Sequence, residues 1–565
     1  ATGNSGGIVI AAREVQLRDR SQISSAVAGT GNSQGVSITA GERVTLSNSI
    51  VVTEVVEGTG NGNGGDITIT TGSLELRDGS ALLADTENIG NAGNITIDAR
   101  DSIVLAGVGP NATNSDILVP SQISTTVEST ATGNGGDIAI ATHRLTLRDN
   151  AFITSELSGT GQAGDITIIN PRLLQLREGA VIAASTGGQG NAGDIVVQNA
   201  ETVSLRNSTI STTVNSDGVG QGGRIIIDAD VLELGDRARI TSSTSGEGDT
   251  GVIQLRIDDS ISISNSSISS EVTETANGQG RDITIRADEL SLDTNAFISA
   301  RSFRRVAPSS DNGFRRVSST APLRGDAGNI QVTVNTVLTM DDSDITTQAE
   351  AFAGGEITIR ARDIRLFGDS DITSNVQSGA EGGGNITLTA DSILAFDDSD
   401  ILAFAEDGVG GNITFNTPAF FGENFNPDAS ANDPVNTLDG NDRVDINATG
   451  AVDGVITLPD VSFIQNSLND LPEGVINTES LIANSCVVRN EDGSSTFVIT
   501  GTGGFPARPS SMDASDFPTG DVQSTSEPLN NQDARWEMGE PIIEAQGVYQ
   551  LPNGELVVSH ACRYD

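Results

Sequence analysis

The sequence predicts an all-β chain: a right-handed parallel β-helix with three short strands per coil of about 29 residues. Three observations lead there. A glycine-anchored motif recurs along the chain, as "GNGGDITIT" with its anchor at Gly65, "GNAGNITID" at Gly93, "GNGGDIAIA" at Gly136, "GQAGDITII" at Gly164 and "GVGGNITFN" at Gly411. Anchors are 27 to 30 residues apart, with two longer gaps of 43 and 48 residues where a loop is inserted. Between anchors, apolar residues alternate with polar ones, and aromatic residues make up only 3% of the chain, which suits a thin core.

Each coil is read from its anchor. Ile67 and Ile69 form a first strand, Leu74 and Leu76 a second, and Leu82 marks a third; Ile138, Ile140, Leu145, Leu147 and Ile153 hold the same offsets after Gly136. No segment has a helical period long enough for a crossover. One such unit cannot bury its apolar face, so each strand must pair in parallel with its counterpart in the next coil. Right-handed coiling follows from the rule for parallel crossovers. Leucine-rich repeats would need an Asn-centred leucine consensus, and propeller blades about 40 residues and four strands; neither is present.

The anchor itself has competing readings. Gly60, Gly62 and Gly65 satisfy G-x-G-x-x-G, but a phosphate cradle needs a following helix N-terminus. The calcium turns of β-rolls repeat every nine residues and place a residue between glycine and aspartate. Here Asp66 follows Gly65 directly and becomes Asn94, Arg224 or Asn329 in other copies. A structural corner remains, with glycine expected to supply backbone angles that other residues resist and Asn or Asp tolerating the same region.

Repeats run over 1–416, with insertions near 107–120 and 301–325. A loop-rich interruption covers 417–450, a final coil 451–480 opens at "GVITLPD", and a C-terminal capping module spans 481–565. The chain opens inside a coil with no charged and apolar leader, so it is expected to be a fragment of a longer precursor. Its formal net charge is −45, and all 31 basic residues are arginines. That charge repels nucleic acid and anionic lipid, and no apolar run reaches membrane-spanning length.

The coils together with a tail reading "LPEGVINTESLIANSC", "FVITGTGGFPARP" and "IIEAQGVYQLPNGELVV" resemble the large exoproteins related to filamentous haemagglutinin, in particular long cyanobacterial members of two-partner secretion systems. The resemblance covers essentially the whole chain. It implies an extracellular or outer-surface location and adhesion or a structural surface role. It also implies export through an outer-membrane β-barrel transporter that recognises an N-terminal domain, which this sequence lacks.

Candidate sites are few. Cys486 and Cys562, beyond the repeats, are the only two cysteines, and a disulfide between them would close the terminal module. His143 and His560 sit in a corner and a late strand and are read as surface or packing residues, so no catalytic base is assigned and the chain is not read as an enzyme. "DDSDI", "GDSDI" and "DDSDI" fall 14 residues after successive anchors. Stacking then places Asp342, Asp369 and Asp398 in one column and Asp344, Asp371 and Asp400 in a second. The columns are either a solvated acidic face, a hard-cation site for Ca2+, or a glycosidase or lyase pair. No other cofactor is expected. Arg304, Arg305, Arg315 and Arg316, in the insertion 301–325, are candidate contacts for acidic surface glycans or else simply offset negative charge. A polysaccharide-active β-helix enzyme is the alternative function, and it would require a basic residue and paired acids converging in one groove.

Overall fold

The computed structural model describes residues 2–459 apart from 57–60, 111–116, 274–275, 303–324, 351, 377–381 and 434–436, together with 523–524, 547–550, 552 and 556–559. The chain divides into two compact units, Ala1–Val461 and Ser462–Asp565. In the first, about 13 turns of some 29 residues stack as a parallel β-solenoid.

Three strands per coil follow from three alternating apolar runs. Ile138–Thr142, Arg144–Leu147 and Phe152–Leu157 pair in parallel with Ile166–Ile169, Leu173–Arg177 and Val181–Thr186, one coil on. In Val36–Ser47 and Ile195–Arg206 the first two strands run on as one bent strand, and in Ile283–Ser302 and Ile330–Ala349 all three do. Pro171, which has no N–H to donate, falls between Ile166–Ile169 and Leu173–Arg177. Inward residues stack on their own kind. Ile95, Ile138, Ile166, Ile195, Ile225 and Ile253 form one in-register ladder inside a single continuous core. β-branched side chains suit such a ladder because they pack against neighbours on a pleated surface with little rotamer freedom to lose.

The anchor glycines serve a purpose other than the one expected. Gly93, Gly136, Gly164 and Gly193 are not among the residues with positive φ. A Cβ on Gly93 would overlap the carbonyl oxygen of Gly65, and one on Gly193 that of Gly164, so glycine is required by the close approach of successive coils. Positive φ angles occur instead at the first glycine of the motif, as at Gly90, Gly161 and Gly190, and at the corner between second and third strands, at Asp78, Asp149, Asn207, Asp236 and Asn265.

The polar residue after each anchor ties the coils together. Asp66 Oδ1 accepts the N–H of Asn94, Asn94 Oδ1 that of Asp137, Asp137 Oδ1 that of Asp165, and Asp165 Oδ1 that of Asp194, at 2.8–2.9 Å. Asn63, Asn91 and Asn134 form a second such ladder. Buried hydroxyls complete the corner, as where Thr125 Oγ1 and Thr212 Oγ1 donate to the carbonyls of Gly136 and Gly223.

The insertion near 107–120 holds an antiparallel pair, Val108–Pro110 with Leu118–Pro120, after which Gln122 rejoins the stack beside Ala81. Residues 417–450, expected as a loop-rich interruption, carry coil strands as well. Phe420–Gly422 pairs with the preceding second strand and Ile446–Asn447 with the preceding third. Between them lies the helix Pro427–Asn432, capped by the Asn426 side chain. Asn-Pro is a helix-start signal, but six residues are too few to show a helical period. Of the final coil expected at 451–480, Ile456–Thr457 pairs with Ile413–Thr414, and 460–480 lie outside the described residues. In the second unit, Gly547–Gln550 is antiparallel to Leu556–Ser559 and parallel to Gln523–Ser524. No described helix is long and apolar enough to cross a membrane.

Candidate functional site

The third strand opens at a fixed register position that can be followed up the stack. It is occupied by Phe152, Val181, Thr209, Arg239, Ser267 and Phe297, then by Asp344 and Asp371. Asp400 and Asp445 continue the column, since Ile372 pairs with Ile401 and Ile401 with Ile446. Two residues earlier, Asp342, Asp369 and Asp398 line the corner, with the inward, buried Ser343, Ser370 and Ser399 between the columns. The structure thus brings together all six aspartates that the sequence singles out. It adds Asp445 and Asp439, which sequence reasoning missed because their segment reads as a loop; the spacing of Asp445 and Ile446, matching Asp400 and Ile401, was the available signal.

The inner column is bonded along the stack. Asp371 Oδ1 accepts the Asp400 N–H at 2.9 Å and Asp400 Oδ1 accepts the Asp445 N–H at 2.7 Å. Asp445, fully buried, takes donors from the Arg443 guanidinium, Asn441 and Ser430. Asp400 is fully buried too, and its Oδ2 has no hydrogen-bond partner. Burial, followed by repulsion from Asp371, pushes the Asp400 carboxyl up to about 9. Asp371 is pushed to about 8, by burial first, with the Asp400 N–H working against it and Asp344 and Asp369 adding to it. Asp344 is raised by burial, opposed by Arg301. A fully solvated acidic face does not describe this column.

The corner column is more open. Asp369 is raised by burial and by Asp439, Asp398 and Asp342. Asp398 accepts the backbone N–H groups of Gly440, Asn441 and Arg443, a concave nest made by the 439–443 turn. That turn also delivers Asp439, so Asp369, Asp398 and Asp439 present carboxylate oxygens within 4.8 Å of one another. Among the described residues these three are the ones best placed to hold a hard, oxygen-seeking cation such as Ca2+. Asp342, Asp344 and Asp371 line a cavity of ≈ 380 Å³ shared with Asp369 and Asp439.

A larger groove, ≈ 780 Å³, runs along the outward face of the same third strands, lined by Arg301, Asp344, Gln348, Asp371, Asn375 and Phe404 among others. Outside the second strand, Phe367 and Phe396 stack face to face at 5.6 Å. His143 is exposed at the corner between first and second strands. Cys486, Cys562, His560, Arg304, Arg305, Arg315 and Arg316 lie outside the described residues. No family model, curated protein or solved structure matches the chain.

Proposed function

We propose that this chain is a secreted or surface-displayed β-solenoid exoprotein acting in adhesion or as structural material at the outer cell surface. In this reading it is exported through an outer-membrane β-barrel that recognises an N-terminal domain. One observation carries it: the interior and corner ladders repeat almost unchanged from coil to coil, while the stacked aspartate columns are concentrated at outward positions of the last coils. A scaffold of this kind holds a contact face rigidly, and each coil can form locally as it emerges from a transporter. The tail and coil motifs that resemble haemagglutinin-like exoproteins support the same reading, with Asp369, Asp398 and Asp439 as a cation site that braces the contact face. Antibody detection of the chain on intact cells tests the route. The chain should reach the surface or medium when the partner barrel is present and be retained when it is deleted, and surface display unaffected by that deletion would sink it.

The alternative, a polysaccharide-active enzyme, is favoured by one specific arrangement: Arg301 lines the same groove as Asp344 and Asp371. Release of reducing ends or of unsaturated products from a polysaccharide panel, abolished by Arg301→Ala, would replace the adhesive reading.

A further inference from the structure

We propose that the outward face of the third strands, from Arg301 to Glu406, is a binding groove for a linear, uncharged polysaccharide. It deepens the adhesion reading and rests on that reading for its biological setting. The chemistry of the groove repeats across its two central coils. Asp344, Thr346 and Gln348 stand in register with Asp371, Thr373 and Asn375, so a carboxyl, a hydroxyl and a carboxamide recur once, before Leu402 takes the hydroxyl position in the next coil. The rise per coil is about 4.8 Å, close to the length of one pyranose unit in an extended chain. Two successive units of a uniform polymer would meet the same donors and acceptors.

Hydrogen-bonding capacity is left unused there. Asn375 Oδ1 and Arg301 Nε are buried atoms without partners, a state that is costly until a ligand or water meets it. Leu402 and Phe404 supply an apolar surface against which the C–H face of a sugar ring can lie.

Charge selects among polymers. Asp344, Glu406 and Asp439 outnumber a single arginine, so a uronate or sulfated chain is disfavoured.

Affinity electrophoresis of the full chain in gels containing xylan, glucomannan or a mixed-linkage β-glucan tests this, with polygalacturonate as the charged comparison. At least one neutral polymer should retard the protein without added calcium, and the double variant Gln348→Ala with Asn375→Ala should weaken that retardation at least tenfold. Both side chains are half-buried on the outward face and Asn375 Oδ1 has no partner to lose, so the melting profile should be unchanged. Thr213→Ala with Ser243→Ala, on third strands of earlier coils outside this groove, should bind normally. Retardation by polygalacturonate alone, no retardation by any neutral polymer, or equal retardation of the groove variant overturns the proposal. Surface attachment that persists without neutral-polymer binding sinks the groove but leaves the adhesion reading; polymer binding by a chain found only inside cells does the reverse.

Discussion

The coils between Ile138 and Val272 and those between Ile330 and Asn447 share one interior and differ in their outward faces. Inside, Ile195 and Ile225 stack in the earlier coils as Ile357 and Ile386 do in the later ones, all fully buried. Outside, the opening position of the third strand is aromatic, aliphatic, hydroxyl or basic in the earlier coils and aspartate four times running in the later ones. The comparison separates two requirements. Stacking constrains the inward residues and the anchor glycine, because those contacts repeat at every coil. Outward positions make few such demands, so a run of four acids can be placed there and partly buried without altering the register.

Several perturbations would break or sharpen this contrast. Since long repeat arrays do not unfold in one step, local hydrogen exchange is the suitable readout. The largest effect is expected for Asp445→Ala, which leaves Arg443 with Asp433 alone, takes one acceptor from Asn441 and removes that of Ser430. A loss of about 4 kcal/mol of local protection across 401–447 is expected. Arg239→Ala, at the equivalent register position of an earlier coil but exposed, should change protection by no more than about 0.5 kcal/mol.

Next in size is Gly193→Ala, which drives a methyl into the Gly164 carbonyl and should cost about 2 kcal/mol around Ile195–Arg206. Gly187→Ala, where a Cβ would meet only the Asn215 side chain at 3.6 Å, should be close to neutral. Equal effects at the two glycines would remove the close-approach argument.

The third effect is on pH. Asp371 and Asp400 move from the ordinary 3.8 to about 8 and about 9 on folding. Between those values the folded chain holds protons that the unfolded chain has lost, so stability falls as pH rises and has fallen fully once both folded values are passed. Protection of the last coils should drop steadily from pH 5 to pH 9, by at least about 2 kcal/mol, while that of Ile138–Val272 changes far less. Asp371→Asn with Asp400→Asn should abolish the difference. A flat profile in the unaltered protein would mean that the acid column titrates normally.

The smallest effect concerns the cation. Calcium at tenfold excess over its Kd should stabilise the last coils by about 1.4 kcal/mol, beyond any effect of sodium at matched ionic strength. Asp439→Asn should remove most of that difference. Equal responses to calcium and sodium in the unaltered protein would leave only screening.

By itself the sequence determined the stack. Apolar alternation of period two and anchors at a near-constant interval admit few ways of burying Ile138, Leu145 and Ile153 together, and those offsets also placed Asp342, Asp369 and Asp398, and Asp344, Asp371 and Asp400, in two columns. Tertiary structure alone decided three things. It showed that the glycine at the anchor answers to the carbonyl of the coil before it, a contact between residues a whole coil apart that no local pattern encodes. It brought Asp439 and Asp445 to the acids from a segment whose short helix masks the coil. And it fixed which carboxyls lose their water: Asp342 and Asp400 stand in the same short motif, but Asp342 remains exposed while Asp400 is fully buried in the stack. Burial depends on what packs over a residue, and the chain that does so here lies more than forty residues away.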